Sequence, residues 1–196
     1  MSDNRTDSEA IAASLAEPRA FGLIFERHFG RIHGYLRRRL DDQLADEVTA
    51  QTFLVAFDRR ADFDQRRPNS RPWLFGIATN LARNHRRREA RELRAIAGMT
   101  PDPGLGVDGV EARIDAERMR GLLAQSLADL PGEEADVLRL LVWAELDQSE
   151  IAAALGIPLG TVKSRLSRAR GRLRSALELA PAAAPQAQKT AVPGGK

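Results

Sequence analysis

The stretch Gln148-Ser-Glu-Ile-Ala-Ala-Ala-Leu-Gly-Ile-Pro-Leu-Gly-Thr-Val-Lys-Ser-Arg-Leu166 decides the fold. Ala152 falls inside a short helix, Gly156 follows four residues on, and Val162 six beyond that. This is helix-turn-helix spacing. The small Ala lets two helices cross closely, Gly takes a turn conformation that side chains resist, and Val anchors the second helix on the first. Pro158 suits the first turn of that second helix, where its missing N–H is not needed. At about 100° per residue, Leu166, Ala169 and Leu173 fall within about 40° of Val162 and form a buried stripe. Gly160, Ser164, Ser167, Arg168 and Gly171 lie opposite, with Lys163, Arg170 and Arg172 flanking them. Small hydrogen-bonding residues bordered by cations suit a recognition helix in the major groove, the centre reading bases and the margins holding phosphates.

Working outward, the pattern is helical nearly throughout. Phe21, Ile24, Phe25, Phe29, Ile32, Tyr35 and Leu36 recur at three- and four-residue steps and predict one apolar helix face over Phe21 to Leu40. A second helix is expected from about Asp41 to Phe57, with Asp41 and Asp42 at its dipole-favoured start. Asp62 to Pro72 reads as a loop, because it holds two Pro, Asn and Ser. A helix from near Trp73 then sets Leu74, Ile77, Ala78, Leu81 and His85 on one side and Gly76, Thr79, Asn80, Arg83 and Arg87 on the other. Trp73 and Phe75 beside an Arg cluster form a combination that binds single-stranded nucleic acid by stacking and phosphate contact, while Trp73 in the core is an equally good reading. Pro and Gly in close succession after Gly98 mark a linker, and the Ala/Pro/Gly-rich run from Ala180 lacks the residues for a core. The expected fold is all-α: a flexible N-terminus over 1–18, a helical domain over 19–96, a flexible linker over 97–115, a second helical domain over 116–179, and a disordered tail over 180–196.

Charge is blocked rather than large. The 196 residues carry a net +3, yet Asp41 to Asp64 holds seven acids against two Arg, while Arg71 to Arg94 holds seven Arg against two Glu. Thr100 to Glu150 has twelve acids against four Arg, and Pro158 to Arg174 has six bases and no acid. Two basic segments, each preceded by an acidic one, suggest one polyanion touched at two places. Cys is absent, which excludes disulfides and thiolate chemistry, and no apolar run approaches the ~20 residues of a membrane span. The polar, acidic start lacks a secretory signal pattern, so membrane insertion is not expected and a cytoplasmic location is. His28, His33 and His85 do not share a face at metal-ligand spacing, and no phosphate loop, nucleophile elbow or carboxylate pair stands out. No metal, cofactor or catalytic residue is expected.

Three segments, LADEVTAQTFLVAF (Leu44 to Phe57), PWLFGIATNLARNHRRR (Pro72 to Arg88) and LDQSEIAAALGIPLGTVKSRLSRARGRL (Leu146 to Leu173), together resemble bacterial sigma factors of the extracytoplasmic-function type. In order and separation they are similar to regions 2.2, 2.3–2.4 and 4.2 of the sigma-70 family, the resemblance covering about Phe21 to Ala95 and Ala116 to Leu177. It implies that Asp46, Glu47, Gln51 and Phe53 dock on the β′ clamp helices of RNA polymerase core, with the β flap a further contact. It implies that Asp64, Arg66, Asn69, Trp73, Thr79, Asn80, Arg83, Asn84, Arg86 and Arg87 serve the −10 element, the loop Asp64 to Arg71 and Asn80 holding a flipped base. Gly160, Thr161, Lys163, Ser164, Ser167, Arg168 and Arg172 would then contact the −35 element. Promoter DNA and core polymerase are the implied partners, with an anti-sigma factor a further one. The competing reading is a conventional helix-turn-helix regulator whose first domain senses or dimerises.

Overall fold

The computed structural model describes residues 4–97, 126–127 and 129–178, among which there is no β-strand. Helix α1 (Asp7–Ala16) opens on a capping box: the Thr6 hydroxyl accepts the Glu9 N–H at 3.2 Å and the Glu9 carboxylate accepts the Thr6 N–H at 2.7 Å. Ala10, Ile11 and Ser14 are fully buried against the rest of the domain. From Thr6 onward the expected flexible terminus over 1–18 is therefore an ordered, capped helix. Its buried face is only Ala10, Ile11 and Ser14 beside Asp7, too short a stripe for apolar periodicity to mark.

A turn of 3₁₀ helix at Pro18–Phe21 leads into α2 (Gly22–Arg37), followed by α3 (Asp42–Asp58) and α4 (Arg71–Ala97). Asp41 caps α3 by accepting the Leu44 N–H at 2.9 Å. Ile24, Ile32 and Leu36 of α2, Val48 and Ala56 of α3, and Leu74, Ala78 and Ala82 of α4 make the first core. Burying side chains of this size removes about 1.5–3 kcal/mol of unfavourable hydration each for the larger ones, which is what holds three short helices together.

The second unit comprises α5 (Gly132–Val142), α6 (Gln148–Leu155) and α7 (Leu159–Glu178). Asp147 and Glu150 form a second capping box at the start of α6, and Gly156 ends that helix in the left-handed region at φ 63°. A side chain would be strained there, so this glycine makes the helix-turn-helix turn. Pro158 stands just ahead of α7 rather than inside it, its carbonyl accepting the N–H groups of Thr161 and Val162. Val162, Leu166 and Ala169 are buried, as the helical phase requires.

The two units are docked on one another. Gly76 of α4 lies against the main chain of α6, so closely that an added Cβ would sit 3.1 Å from the Ala154 carbonyl carbon and closer still to its oxygen. Around this crossing, Arg39 and Asp136 meet at 2.7 Å with side chains 3% and 2% exposed, and Arg83 reaches the same carboxylate at 3.3 Å. The Arg71 guanidinium donates to the Ala144 carbonyl at 2.7 Å, and Tyr35 faces Trp143 edge-on at 6.5 Å. The buried apolar residues of both units form one continuous cluster. The linker expected over 97–115, all but its first residue, lies outside the described residues, as do most of 116–128 and the tail.

Candidate nucleic-acid interface

Helix α7 presents the face that its phase predicts, with one correction. Gly160, Lys163, Ser164, Ser167, Arg168, Gly171 and Arg172 are exposed, and Thr161 is half-buried. Arg168 does not stand alone opposite Val162. It and Arg172 turn toward α5, where both meet the buried Glu134 carboxylate, at 3.0 and 3.1 Å. Arg165 pairs with Glu133 beside them. Lys163, Arg170 and Arg174 border a groove on the opposite flank together with Gln148 and Ser167. The small stripe of Gly160, Ser164, Ser167 and Gly171 thus runs between two rows of cations, one anchored on α5 and one open.

The second interface begins at the loop before α4. Asp64 accepts from the Arg66 guanidinium at 2.9 Å and from its N–H at 3.2 Å, and these bonds hold its carboxyl down to about 2. Asn69 accepts the Arg71 N–H at 2.8 Å, while its amide nitrogen stands 3.5 Å from Glu150 of the other unit. Ser70 is buried immediately ahead of α4, and its carbonyl accepts the Leu74 N–H at 3.0 Å. Asn80, Asn84, Arg86 and Arg87 are exposed along α4.

The remaining residues expected at this interface are placed differently. Thr79 is fully buried and its hydroxyl shares a 2.9 Å hydrogen bond with Tyr35, so it supports the helix rather than facing a ligand. Phe75 belongs to the core, with the Tyr35 ring 5.3 Å away. Trp73 is half-buried with its ring tilted on Phe63 at 5.2 Å. Arg83 is half-buried on Asp136. Of the side of α4 that helical phase left for a ligand, Gly76 is covered by α6, Thr79 by Tyr35 of α2 and Arg83 by Asp136 of α5, while Asn80 and Arg87 stay exposed. Small residues there read equally well as an open surface or as a helix crossing, and periodicity does not distinguish the two.

Four more Arg crowd the same place. A cavity of about 330 Å³ between the units is lined by Arg39, Arg83, Arg86, Arg87 and Arg139, against Asp136 and Glu133. Arg139 feels the excess: burial, then the neighbouring Arg39 charge, pull its guanidinium down to about 10.

The acidic helix α3 exposes Asp46, Glu47 and Gln51, with Asp46 2.7 Å from the His33 ring. Phe53 is only 5% exposed and belongs to the core, which corrects its place among the contact residues. Beside it lies an exposed apolar patch. Phe25, Phe29 and Leu54 are 43%, 38% and 65% exposed, with the Phe25 ring 4.9 Å from Phe53 and 5.0 Å from Phe29. A signal existed in the sequence, since α2 carries more large apolar residues than one helix face can bury.

The described residues contain no group of three or more His, Cys, Asp or Glu able to hold a metal, and no described helix is long and apolar enough to cross a membrane. Comparison with known proteins accounts for both halves. Residues 24–92 match the family model of sigma-70 region 2, and residues 120–173 match that of sigma-70, region 4. The chain is 31% identical over 172 residues to the ECF RNA polymerase sigma factor SigL of Mycobacterium tuberculosis, covering 87% of this chain and 94% of that one. It is 30% identical over 190 residues to the RNA polymerase sigma factor CnrH of Cupriavidus metallidurans, covering 89% and 97%. The solved structure of CnrH in complex with the cytosolic domain of CnrY superposes with a TM-score of 0.63 at 28% identity, covering 88% of this chain and 97% of that one. The chain belongs to the extracytoplasmic-function sigma factors of the sigma-70 family, which carry no enzymatic activity and direct transcription initiation by RNA polymerase.

Proposed function

We propose that this sigma factor divides its work between the two exposed faces, α7 reading the −35 duplex and the 64–71 loop with α4 capturing the opened −10 strand. The observation that carries this reading is the α7 surface, a strip of Gly and Ser between two rows of cations and aimed by the Gly156 turn. A strip without bulk admits the helix to the major groove, and the cations flank it where phosphates run. Asn80, Asn84, Arg86 and Arg87 extend the second face along the backbone of the non-template strand. Unstacking a base costs a few kcal/mol, and a pocket that receives the extruded base offsets it without ATP.

Core polymerase docks on Phe25, Phe29 and Leu54 with Asp46, Glu47 and Gln51 around them, an apolar centre with a polar rim, as stable interfaces have. The β′ clamp helices take this patch, and the β flap takes region 4. Because α6 covers part of α4 in the docked arrangement, the free chain is closed toward −10 DNA and opens on core. The CnrH relative is solved with the cytosolic domain of CnrY, which supports an anti-sigma partner for this chain, acting in the cytoplasm where polymerase and promoter meet. The competing reading, a conventional regulator, does not account for the match of residues 24–92 to sigma-70 region 2.

Reconstitution with core polymerase decides the matter. Holoenzyme is expected to give run-off transcripts from a defined set of genomic fragments, and Phe29→Ala together with Leu54→Ala is expected to weaken core binding about tenfold or more. Core affinity unchanged in that double variant, or transcripts that do not depend on the added chain, would overturn the assignment.

A further inference from the structure

We infer that Asp7, on the N-terminal helix, is the positioning residue that shapes the 64–70 loop and thereby sets which base the loop accepts. The inference rests on the reading of that loop as the −10 base pocket.

Asp7 stands behind the loop, not in it. Its carboxylate oxygen Oδ2 accepts the Ser70 N–H at 3.0 Å and the Ser70 hydroxyl at 2.8 Å, and lies 2.7 Å from the His28 ring nitrogen. Its Oδ1 accepts from Arg27 at 3.1 Å. The next residue of α1 reaches the other end of the loop: the Ser8 hydroxyl stands 2.7 Å from the Gln65 carbonyl and 2.8 Å from its side-chain oxygen. Both ends of the loop main chain are thus tied to the first turn of α1. Between those ties stand Arg66, Arg67, Pro68 and Asn69, three of them exposed and Asn69 half-buried.

A buried carboxylate is costly to desolvate unless several donors surround it. Here four do, contributed by α1's neighbours and by the loop itself, so the arrangement is satisfied only when Ser70 holds its observed position. Helix α1 in turn cannot drift, being capped at Thr6 and anchored by Ile11 and by the Arg60 contact to the Ser14 carbonyl at 3.3 Å. A base pocket needs its walls held to within about half an ångström, and a Pro-containing loop of this length does not supply that by itself. A helix at the far N-terminus supplies it.

The test uses holoenzyme and promoter DNA carrying 2-aminopurine in turn at each non-template −10 position, with Asp7→Asn, Ser70→Ala, Ser8→Ala and Asn69→Ala variants of the full chain. Asp7→Asn and Ser70→Ala are expected to bind core as the parent does, to lower the fluorescence that reports base extrusion, and to reduce discrimination at the flipped position about tenfold. Their double variant should lose little more than either alone, because both break one network. Ser8→Ala, at a half-buried position outside the core, should lose part of the discrimination. If Asn69→Ala changes discrimination while Asp7→Asn, Ser70→Ala and Ser8→Ala leave it intact, the positioning role is wrong and the pocket reading stands. Discrimination untouched by Asn69→Ala removes the pocket reading and the inference together. A loss of core affinity in Asp7→Asn, with the base preference of the remaining complex unaltered, shows a purely structural role and overturns the inference.

Discussion

Two buried acids, Asp136 and Glu134, stand close together in α5 and hold different things. Asp136 gathers Arg39, Arg83 and Arg139, and two of those cations come from the other unit. Breaking a buried ion pair from one side typically destabilises by about 3–5 kcal/mol, since it leaves an uncompensated charge. Arg39 has an escape, however, because undocking returns it to water. Asp136→Ala is therefore expected to separate the units rather than unfold them, with the loss capped at the free energy of docking. Small-angle scattering should show a larger radius of gyration with helical content unchanged. Glu134 instead holds Arg168 and Arg172 within one unit, and on the proposed reading of α7 it competes with DNA phosphate for them. Glu134→Gln should tighten binding to −35 duplex several-fold and steepen its salt dependence by one to two ions. A salt series with fluorescence anisotropy measures it, and weaker binding at low salt would mean that Glu134 aligns the two Arg instead of restraining them.

At the scale of elements, α1 and the α4–α6 crossing each depend on a single residue type in a single place. Burial raises the Asp7 carboxyl, but the hydrogen bonds from His28 and Ser70 outweigh it and hold the group well below the usual carboxylate range. A folded value below the unfolded one contributes stability that is fully present above about pH 4 and is lost as pH falls from there toward the folded value. The parent chain should accordingly lose thermal stability below about pH 4 more steeply than Asp7→Asn, whose curve lacks this component. Scanning calorimetry from pH 5 to pH 3 checks the difference in slope. The crossing depends on Gly76. Alanine there puts a Cβ into the Ala154 main chain, which cannot yield as a side-chain tip would. Overpacking of this kind costs about 1–3 kcal/mol, and here undocking relieves it. Gly76→Ala should open the units without lowering the melting temperature of either.

For the whole molecule, docking covers part of the surface proposed to meet −10 DNA. Arg83 of α4 serves the interface with α5, Gly76 the crossing with α6, and Asn69 lies against Glu150. On the proposed assignment, a chain in this arrangement presents the α7 face and withholds part of the α4 face. With fluorophores at Asp58 and Glu178, transfer efficiency should fall when core polymerase is added and should not fall with −35 duplex alone. Free protein is expected to bind promoter weakly, both because a closed molecule lacks the second contact and because two linked sites gain from linkage only when their spacing is held. Efficiency unchanged on holoenzyme formation would refute the competition.

The helix-turn-helix was legible because each of its demands falls on one residue: a left-handed turn at Gly156, a buried stripe through Val162 and Leu166, and cations at the margins of α7. The helices of the first unit were legible for the same local reason, a repeat of apolar residues at helical steps with Asp41 at the start of α3. Local pattern does not report what covers a face once it has formed. Gly76 and Thr79 read as an exposed side of α4 because small and polar residues suit water, and they are buried because Gly76 lets α6 cross closely and Thr79 finds a hydroxyl partner in Tyr35 of α2. Phe25 and Phe29 belong to the apolar pattern of α2 and Phe53 to that of α3, and only the packing of the two helices sorted the buried ring from the exposed ones. Asp7 carried no signal at all: its partners lie 20, 21 and 63 residues away, and a carboxylate acquires its role from the donors that tertiary structure brings to it.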